Sequence, residues 1–450
     1  MLLGRRKQKR PSRRWVCLLV RPDACRAAAV QNVVARATNA SMHIITSSGN
    51  VYSYLRQTNE IVAGEADDSA IEWNFAPIVR FTSMPGIDSF ILGVTEQCNL
   101  RCAYCCYSGS YPGNRTHGVR SMSASDIDSV YDFIDEQAPG RSIRISFYGG
   151  EPLTDFSLVQ YAVERGYGRW GDKVTFSIST NGVLLRPEVC DWIIANKVEL
   201  AVSVDGTERY HDRNRVDVSG MGSFSRIYGA LEYIKERYPQ YFRSITVLMT
   251  SSSFDDICKI AEDWHNDPLL SEISPAMING LAPKFSVGVR TVEYEDLKEK
   301  YTRWLDLYQQ HPDWNILRVF FNQCIAYWKN RPILAPEGSV PMATCLPHNN
   351  KLYIDSNLNI GVCEKISDSY RIGNVRTGVD WGKANSVVEE YYSKRVDRCR
   401  FCPAVRMCDM CLTAVEHNCQ EWDILCHNER VYTRLYMYLF CEMAERGLLQ

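Results

Sequence analysis

Long apolar runs are missing from this chain of 450 residues; the stretch Trp15 to Val20 and the alanine-valine segment after it are too short to span a bilayer. No small-residue cleavage site follows a sustained apolar core near the start, which argues against export. A surplus of one charge sign is missing too: 51 basic against 53 acidic side chains give a net charge of −2. That balance supplies no electrostatic argument for a nucleic-acid partner. The chain is rich in cysteine, with 18 gathered mainly at two places. This is unlike a small secreted domain stapled by disulfides, and it asks for a reducing, low-oxygen compartment, so the expected location is the cytoplasm. The length predicts more than one domain, and 45% hydrophobic residues can supply full cores.

The first cysteine group is Gln97-Cys-Asn-Leu-Arg-Cys-Ala-Tyr-Cys105, which spaces Cys98, Cys102 and Cys105 as C-x3-C-x2-C. Three thiolates can hold a cluster of four irons and leave one iron without a protein ligand. Such an iron can bind and activate a small molecule, whereas a cluster held by four cysteines only passes electrons. Zinc, disulfides and ordinary buried thiols are the alternatives. Zinc sites more often show C-x2-C with a second pair or histidines downstream, which do not follow this triplet.

Further signals follow in order. Gly149-Gly150-Glu151-Pro152 comes after the β-rich run Ile143 to Tyr148; Ser177 to Gly182, with Ser179 and Asn181, ends another strand-like run; Ser203-Val-Asp205-Gly206 ends a third; and His211 to Arg215 comes next. Each is weak alone, since Gly-Gly, Asn-Gly and Asp-Gly are common turn signals. Together with the triplet, and with Tyr104 before its third cysteine, they resemble the signature of the radical S-adenosylmethionine (SAM) superfamily. That resemblance implies a 4Fe-4S cluster on Cys98, Cys102 and Cys105. It implies SAM contacts from Tyr104, Gly149, Gly150, Glu151, Pro152, Ser179, Asn181, Ser203, Asp205 and Arg215. The glycine-rich segment would hold the SAM amino group and Arg215 its carboxylate.

From Phe90 to about Val287, strand-length apolar runs (Phe90 to Val94, Ile143 to Tyr148, Val174 to Ser179, Glu199 to Val204, Ser244 to Met249) alternate with amphipathic stretches such as Ala124 to Glu136, Leu158 to Arg165 and Phe224 to Tyr238. The alternation predicts an α/β fold with a parallel sheet, and ligands bind at the C-terminal ends of such strands. The resemblance implies a partial (β/α)6 TIM-like barrel. The expected organisation is a basic, disordered tail over 1–40, a small β-rich lead-in over 41–87, the radical SAM core over 88–287, a helical bridge over 288–340 and a cysteine-rich domain over 341–450. For the basic run, an upstream extension of the reading frame with translation from Met42 is the alternative. The aromatic stripes between Glu293 and Arg331 read as packing.

The second cysteine group comprises Cys345, Cys363, Cys399, Cys402, Cys408, Cys411, Cys419 and Cys426. The dense run Cys399 to Cys411 demands metal, with zinc as the structural alternative to iron and sulfur. The group resembles the SPASM extension that accompanies radical SAM enzymes acting on peptides and proteins. Two residues rather than three separate Cys408 from Cys411, and Leu358 stands where a glycine usually precedes the second cysteine by five residues. Carried across, Cys399, Cys402, Cys408 and Cys426 would hold one auxiliary cluster, and Cys345, Cys363 and Cys411 the other. Cys324 could complete the latter, and Cys419 competes with Cys426. Cys17, Cys25, Cys106, Cys190, Cys258 and Cys441 read as plain thiols.

The segment Cys105 to Tyr111, with Arg115, His117 and Met122, resembles the corresponding loop of maturases that install thioether or carbon–carbon crosslinks in ribosomally made peptides. The implied activity is formation of a 5'-deoxyadenosyl radical, hydrogen abstraction from a precursor peptide and closure of a crosslink. A donor such as flavodoxin or ferredoxin would supply electrons, and no catalytic acid or base is assigned. Oxidation of a serine or cysteine to formylglycine, as by anaerobic sulfatase activators, is the alternative within enzymes. An iron-sulfur electron carrier or zinc-binding module is the alternative outside them; it explains the cysteines but not Gly149 to Pro152 with Arg215.

Overall fold

The computed structural model describes residues 42–449 apart from 57, 68–71, 73–74, 76–77, 85, 112, 252–253, 281–289, 331–344, 346, 348–349, 413 and 415–418. The basic segment 1–40 and part of the expected bridge lie outside the described residues, as does the side chain of Cys419.

A small antiparallel sheet comes first: β1 (Met42–Ile45), β2 (Val51–Leu55) and β3 (Glu60–Ala63). The Ser48-Gly49-Asn50 turn joins β1 to β2, with Gly49 at φ 85°, and β3 is a strand the sequence reading did not anticipate. Six strands then alternate with helices. They are β4 (Ser89–Thr95), α1 (Ala124–Gln137), β5 (Ile143–Gly149), α2 (Phe156–Trp170), β6 (Val174–Thr180), α3 (Pro187–Ala195), β7 (Glu199–Ser203), α4 (Glu208–His211), α5 (Phe224–Arg237), α6 (Pro239–Phe242), β8 (Thr246–Thr250), α7 (Ile257–Asn266) and β9 (Pro275–Asn279). Strands β4 to β9 pair in parallel in chain order, as the alternation of strand and helix predicts.

Strand β5 shows how the sheet is filled. Ile143, Ile145 and Phe147 are buried, and Phe147 stacks on Phe176, while Arg144, Ser146 and Tyr148 face the other side. On that inner face Ser146 and Ser177 share a hydrogen bond of 2.7 Å. The apolar face packs on the helices and the polar face lines the barrel interior.

Beyond the barrel lie α8 (Tyr294–Gln310), α9 (Asn315–Lys329), β10 (Lys351–Ile354), β11 (Asn359–Gly361), β12 (Arg371–Asn374), β13 (Gly378–Val379), α10 (Trp381–Cys399) and α11 (Cys419–Glu445). The interval read as helical from Glu293 is two helices parted at His311-Pro312, because proline cannot continue a helix. The cysteine-rich region does not stand apart. Strand β10 pairs in parallel with β4, so β10 to β13 extend the barrel sheet to ten strands, and a continuous hydrophobic core runs through all parts. Helix α11 ties the ends together: Trp328 donates to Thr433 O at 3.0 Å, Arg434 to His43 O at 2.8 Å, and Lys298 of α8 to Ile45 O at 3.0 Å. Among the described residues no helix is long and apolar enough to cross a membrane.

Candidate active site

The first cysteine group lies on the loop that leaves the C-terminal end of β4. Leu100 N points at Cys98 Sγ and Tyr107 N at Cys105 Sγ, each at 3.4 Å. Burial pushes the Cys98 thiol up to about 12 and the Cys102 thiol up to about 11. Cys105 is raised further, through its hydrogen bond with Cys106 and through burial. Held so, the three thiols are poor anions in the absence of a cation.

The loop is seated by glycine. Gly150 N donates to Thr95 O at 2.8 Å and Glu151 N to Gln97 O at 2.7 Å. A Cβ on Gly149 would overlap Thr95 O, and one on Gly150 would overlap Gln97 O. The close approach these glycines permit is therefore to the backbone of the cysteine loop itself. Both Glu151 oxygens are taken by the protein: Oε1 accepts from Leu153 N and Thr180 Oγ1 at 3.0 and 2.7 Å, and Oε2 from Asn181 N at 2.7 Å. Burial raises this carboxyl to about 6. Pro152 is buried and opens the short turn that follows. Asn181 Nδ2 in turn reaches Asn99 Oδ1 at 2.8 Å and lies 3.9 Å from Cys98 Sγ.

A second network follows β7. Arg215 Nε donates to Asp205 Oδ2 at 2.8 Å, Tyr104 OH donates to the same oxygen, and Thr250 N donates to Oδ1 at 2.9 Å. The Arg215 guanidinium lies 5.4 Å from the Tyr104 ring centroid and acts electrostatically on Cys102. His211, fully buried, accepts from Asp205 N and bonds Ser223, and burial pulls its pKa down to about 4. The structure thus brings Tyr104, Asp205 and Arg215 together beside the thiols. Ser179 and Ser203 sit half-buried on β6 and β7.

The second cysteine group separates into two sets. Cys399, Cys402, Cys408 and Cys426 line one cavity together with Arg395, Arg398, Trp422 and Glu429. Trp422 Nε1 and Arg398 Nε are buried there without a hydrogen-bond partner, and Arg395 Nη2 donates to Cys408 Sγ at 3.3 Å. Donors aimed into a cavity lined by thiols fit a cluster whose sulfurs accept hydrogen bonds. Cys345 lies within electrostatic reach of both Cys411 and Cys363. Cys324 is elsewhere, buried on α9 beside Tyr301 and Tyr436. Among the described residues no three histidine, cysteine or carboxylate side chains gather as a single-ion site. No disulfide joins any of the cysteines whose side chains are described.

Other residues join these groups. Cys106, read as a plain thiol, bonds Cys105 and lies near Arg115 and Glu364. Tyr107 OH donates to Glu364 O at 3.0 Å, and Arg115 lies over the Tyr107 ring at 3.5 Å. No sequence signal singled out Arg395 or Trp422, because their meaning comes only from the cavity they line.

Residues 92–263 match the radical SAM superfamily. With the thiol triplet and both networks at the C-terminal strand ends, these residues form a radical SAM domain, a family that implies a 4Fe-4S cluster and SAM. It is similar to the cysteine-type anaerobic sulfatase-maturating enzyme of Clostridium perfringens (strain ATCC 13124), 21% identical over 385 residues, 79% of this chain and 97% of that enzyme. It is also similar to the radical SAM cyclopropyl synthase TigE of Paramaledivibacter caminithermalis, 24% identical over 253 residues, 53% of this chain and 50% of TigE. The chain spans about half the length of several curated relatives it matches, 48% of the enzyme from C. perfringens strain 13 for example. A solved structure of native anSMEcpe with bound AdoMet shares the fold, at TM-score 0.56 and 18% identity, over 81% of this chain and 100% of that one.

Proposed function

We propose that the chain oxidises a ribosomally made precursor peptide by two electrons, closing an intramolecular thioether or carbon–carbon crosslink. When bound, a cluster on Cys98, Cys102 and Cys105 together with SAM supplies a 5'-deoxyadenosyl radical able to take hydrogen from an unactivated carbon. The observation that carries the reading is the convergence of the thiol loop after β4 with Asn181 after β6 and Tyr104-Asp205-Arg215 after β7. Arg215, fixed by Asp205, offers a planar fork to a carboxylate. Gly149 and Gly150 set the loop, and Glu151 locks the ends of β5 and β6 around it. Ser179 and Ser203 give the interior a polar lining that orients a bound molecule.

Ring closure releases one more electron and needs an acceptor. Cys399, Cys402, Cys408 and Cys426 would hold one auxiliary cluster, and Cys345, Cys363 and Cys411 another with a ligand position left over. A flavodoxin or ferredoxin would supply the first electron. The fold shared with anSMEcpe, solved with AdoMet and the Cp18Cys peptide bound, supports a peptide substrate. The alignment with the sulfatase-maturating enzyme over 97% of its length favours a second reading, formylglycine formation in a protein target.

Anaerobic co-expression with a precursor peptide encoded nearby, followed by tandem mass spectrometry, separates them. A crosslink lowers the peptide mass by about 2 Da and suppresses fragmentation between the joined residues, because hydrogen abstraction and ring closure together remove two hydrogens. Conversion of cysteine to formylglycine removes about 18 Da and that of serine about 2 Da, and either leaves an aldehyde that a hydrazide traps, which a crosslink does not. Failure of the reconstituted protein to cleave SAM with dithionite would defeat both readings.

A further inference from the structure

His117 lies in the loop that the sequence singles out after the first cysteine group, and the function proposed above gives it no task. Its backbone is pinned from both sides of that group. His117 N donates at 3.0 Å to the carbonyl of Tyr107, just after Cys105, and Gly118 N donates at 3.3 Å to that of Glu96, just before Cys98. Gln97 Nε2 reaches Val119 O at 3.0 Å, and Glu96 N reaches Arg120 O at 2.8 Å. A Cβ on Gly118 would overlap the Glu96 side chain, so the two segments run in close contact. Residues 117–120 therefore move with the cysteine loop.

The ring is the unusual part. Nδ1 and Nε2 are both buried, and neither has a hydrogen-bond partner among the described residues. A neutral imidazole carries its proton on one nitrogen or the other, so in either tautomer the N–H is left without an acceptor. Stranding a buried donor costs free energy, and such a group calls for an explanation. The acceptor within reach is sulfur. The ring acts on the Cys105 thiol and works against the rise of its pKa, while its geometry stops short of a hydrogen bond. Around the same loop, Leu100 N and Asn181 Nδ2 lie beside Cys98 Sγ, and Tyr107 N beside Cys105 Sγ. His117 adds a donor on the Cys105 side. Donors gathered on these thiols fit a cluster whose sulfurs share its negative charge.

We infer that His117 donates its ring N–H to a sulfur on the Cys105 side of the cluster that Cys98, Cys102 and Cys105 would hold, and makes that cluster easier to reduce. Reduction adds one electron and so one negative charge, which strengthens a hydrogen bond to sulfur; no covalent bond forms or breaks. The inference rests on the cluster and not on the product, so it stands whether the substrate is crosslinked or converted to formylglycine. Bound SAM or a peptide is the other acceptor the ring could meet; its closeness to Cys105 favours sulfur.

The test uses the full chain, reconstituted anaerobically with isotopically labelled histidine. Pulsed EPR on the reduced signal that SAM perturbs should show a weakly coupled histidine nitrogen before SAM is added, and His117→Phe should lose it. His117→Phe keeps a ring and removes the donor, whereas His117→Gln keeps an N–H and removes the ring. In His117→Phe the one-electron reduction equilibrium should become about tenfold less favourable, about 59 mV more negative, with His117→Gln close to wild type. The opposite order, with phenylalanine tolerated and glutamine not, would make the ring mere packing and overturn the inference. A wild type with the signal but no nitrogen coupling, or with coupling only once SAM or peptide is bound, would overturn it without any variant. A wild type with no SAM-perturbed signal would mean that the triplet holds no cluster, and the functional reading and this inference would fall together.

Discussion

Arg215 Nε and Asp205 Oδ2 meet at 2.8 Å with side chains only 9% and 2% exposed. A buried charge is tolerable here because its counter-charge is beside it and itself bonded to Thr250 N and Tyr104. Asp205→Asn keeps the shape and removes the charge. It should cost about 3–5 kcal/mol of unfolding free energy, the usual penalty for stranding a buried ion, and should weaken SAM binding. Urea unfolding and equilibrium SAM binding measure the two effects. A variant unchanged in both would mean that Arg215 is not held by this pair.

His211 makes stability depend on pH. Its folded pKa is about 4, below the ordinary histidine value of 6.5, so above pH 6.5 the ring is neutral folded or unfolded and its contribution is fully present. Between those values the unfolded chain takes up a proton that the folded chain refuses, and stability falls as pH falls, by up to about 1.4 kcal/mol per unit. His211→Gln should flatten the difference between urea midpoints at pH 5 and pH 7. An identical slope in variant and wild type would remove His211 from the account.

Gly150 and Gly168 are a matched pair for testing the seat of the loop. A Cβ at 150 would overlap the backbone oxygen of Gln97, next to Cys98, and a Cβ at 168 meets nothing within 4 Å. Gly150→Ala should destabilise by about 1–3 kcal/mol as an overpacked contact and depress SAM cleavage further by moving Cys98. Gly168→Ala, on helix α2, should gain about 0.5–1 kcal/mol with activity intact. Thermal unfolding and 5'-deoxyadenosine formation report both. A Gly150→Ala enzyme with normal SAM cleavage would show that the loop tolerates the shift.

The barrel strands could be read because their apolar runs are local. Strand β9 escaped notice because Pro275 opens it and two of its residues are exposed, leaving no apolar run. The pairing of β10 with β4 is invisible in sequence, since a register between Leu352 and Phe90 leaves no signal in either segment. Yet this sheet carries Glu364, next to Cys363, to Tyr107 and Cys106 of the first cysteine loop. Leu358 shows the converse. Its φ of 64° is the left-handed conformation a glycine would adopt freely, and its N–H bonds Asp355 O while its carbonyl accepts from Val375 N, at 2.9 and 2.8 Å. The chain thus turns through a left-handed residue without a glycine, and the buried leucine side chain accompanies the unfavourable backbone.

Arg395 gives a test of the auxiliary sites that does not depend on the peptide. It is 2% exposed, donates Nη2 to Cys408 Sγ at 3.3 Å, and bonds Tyr391 and Met410 O through Nη1. A cation and N–H donor at a ligating sulfur favours the reduced, more negative state of a cluster, so its removal should lower the reduction potential. A hydrogen bond to a charged group is worth about 1.5–3 kcal/mol, which sets an upper bound of roughly 60–130 mV for one electron. Wild-type protein reconstituted anaerobically should carry about twelve irons if three clusters form, and Arg395→Met should show one cluster with a more negative midpoint in an EPR-monitored titration. The triple variant Cys98→Ala/Cys102→Ala/Cys105→Ala should keep that Arg395-sensitive signal while losing all SAM cleavage, because the two cysteine groups lie on separate segments. An iron content near four with zinc bound in the Cys399 cavity, or an Arg395→Met protein whose potentials match the wild type, would remove the auxiliary cluster from that cavity.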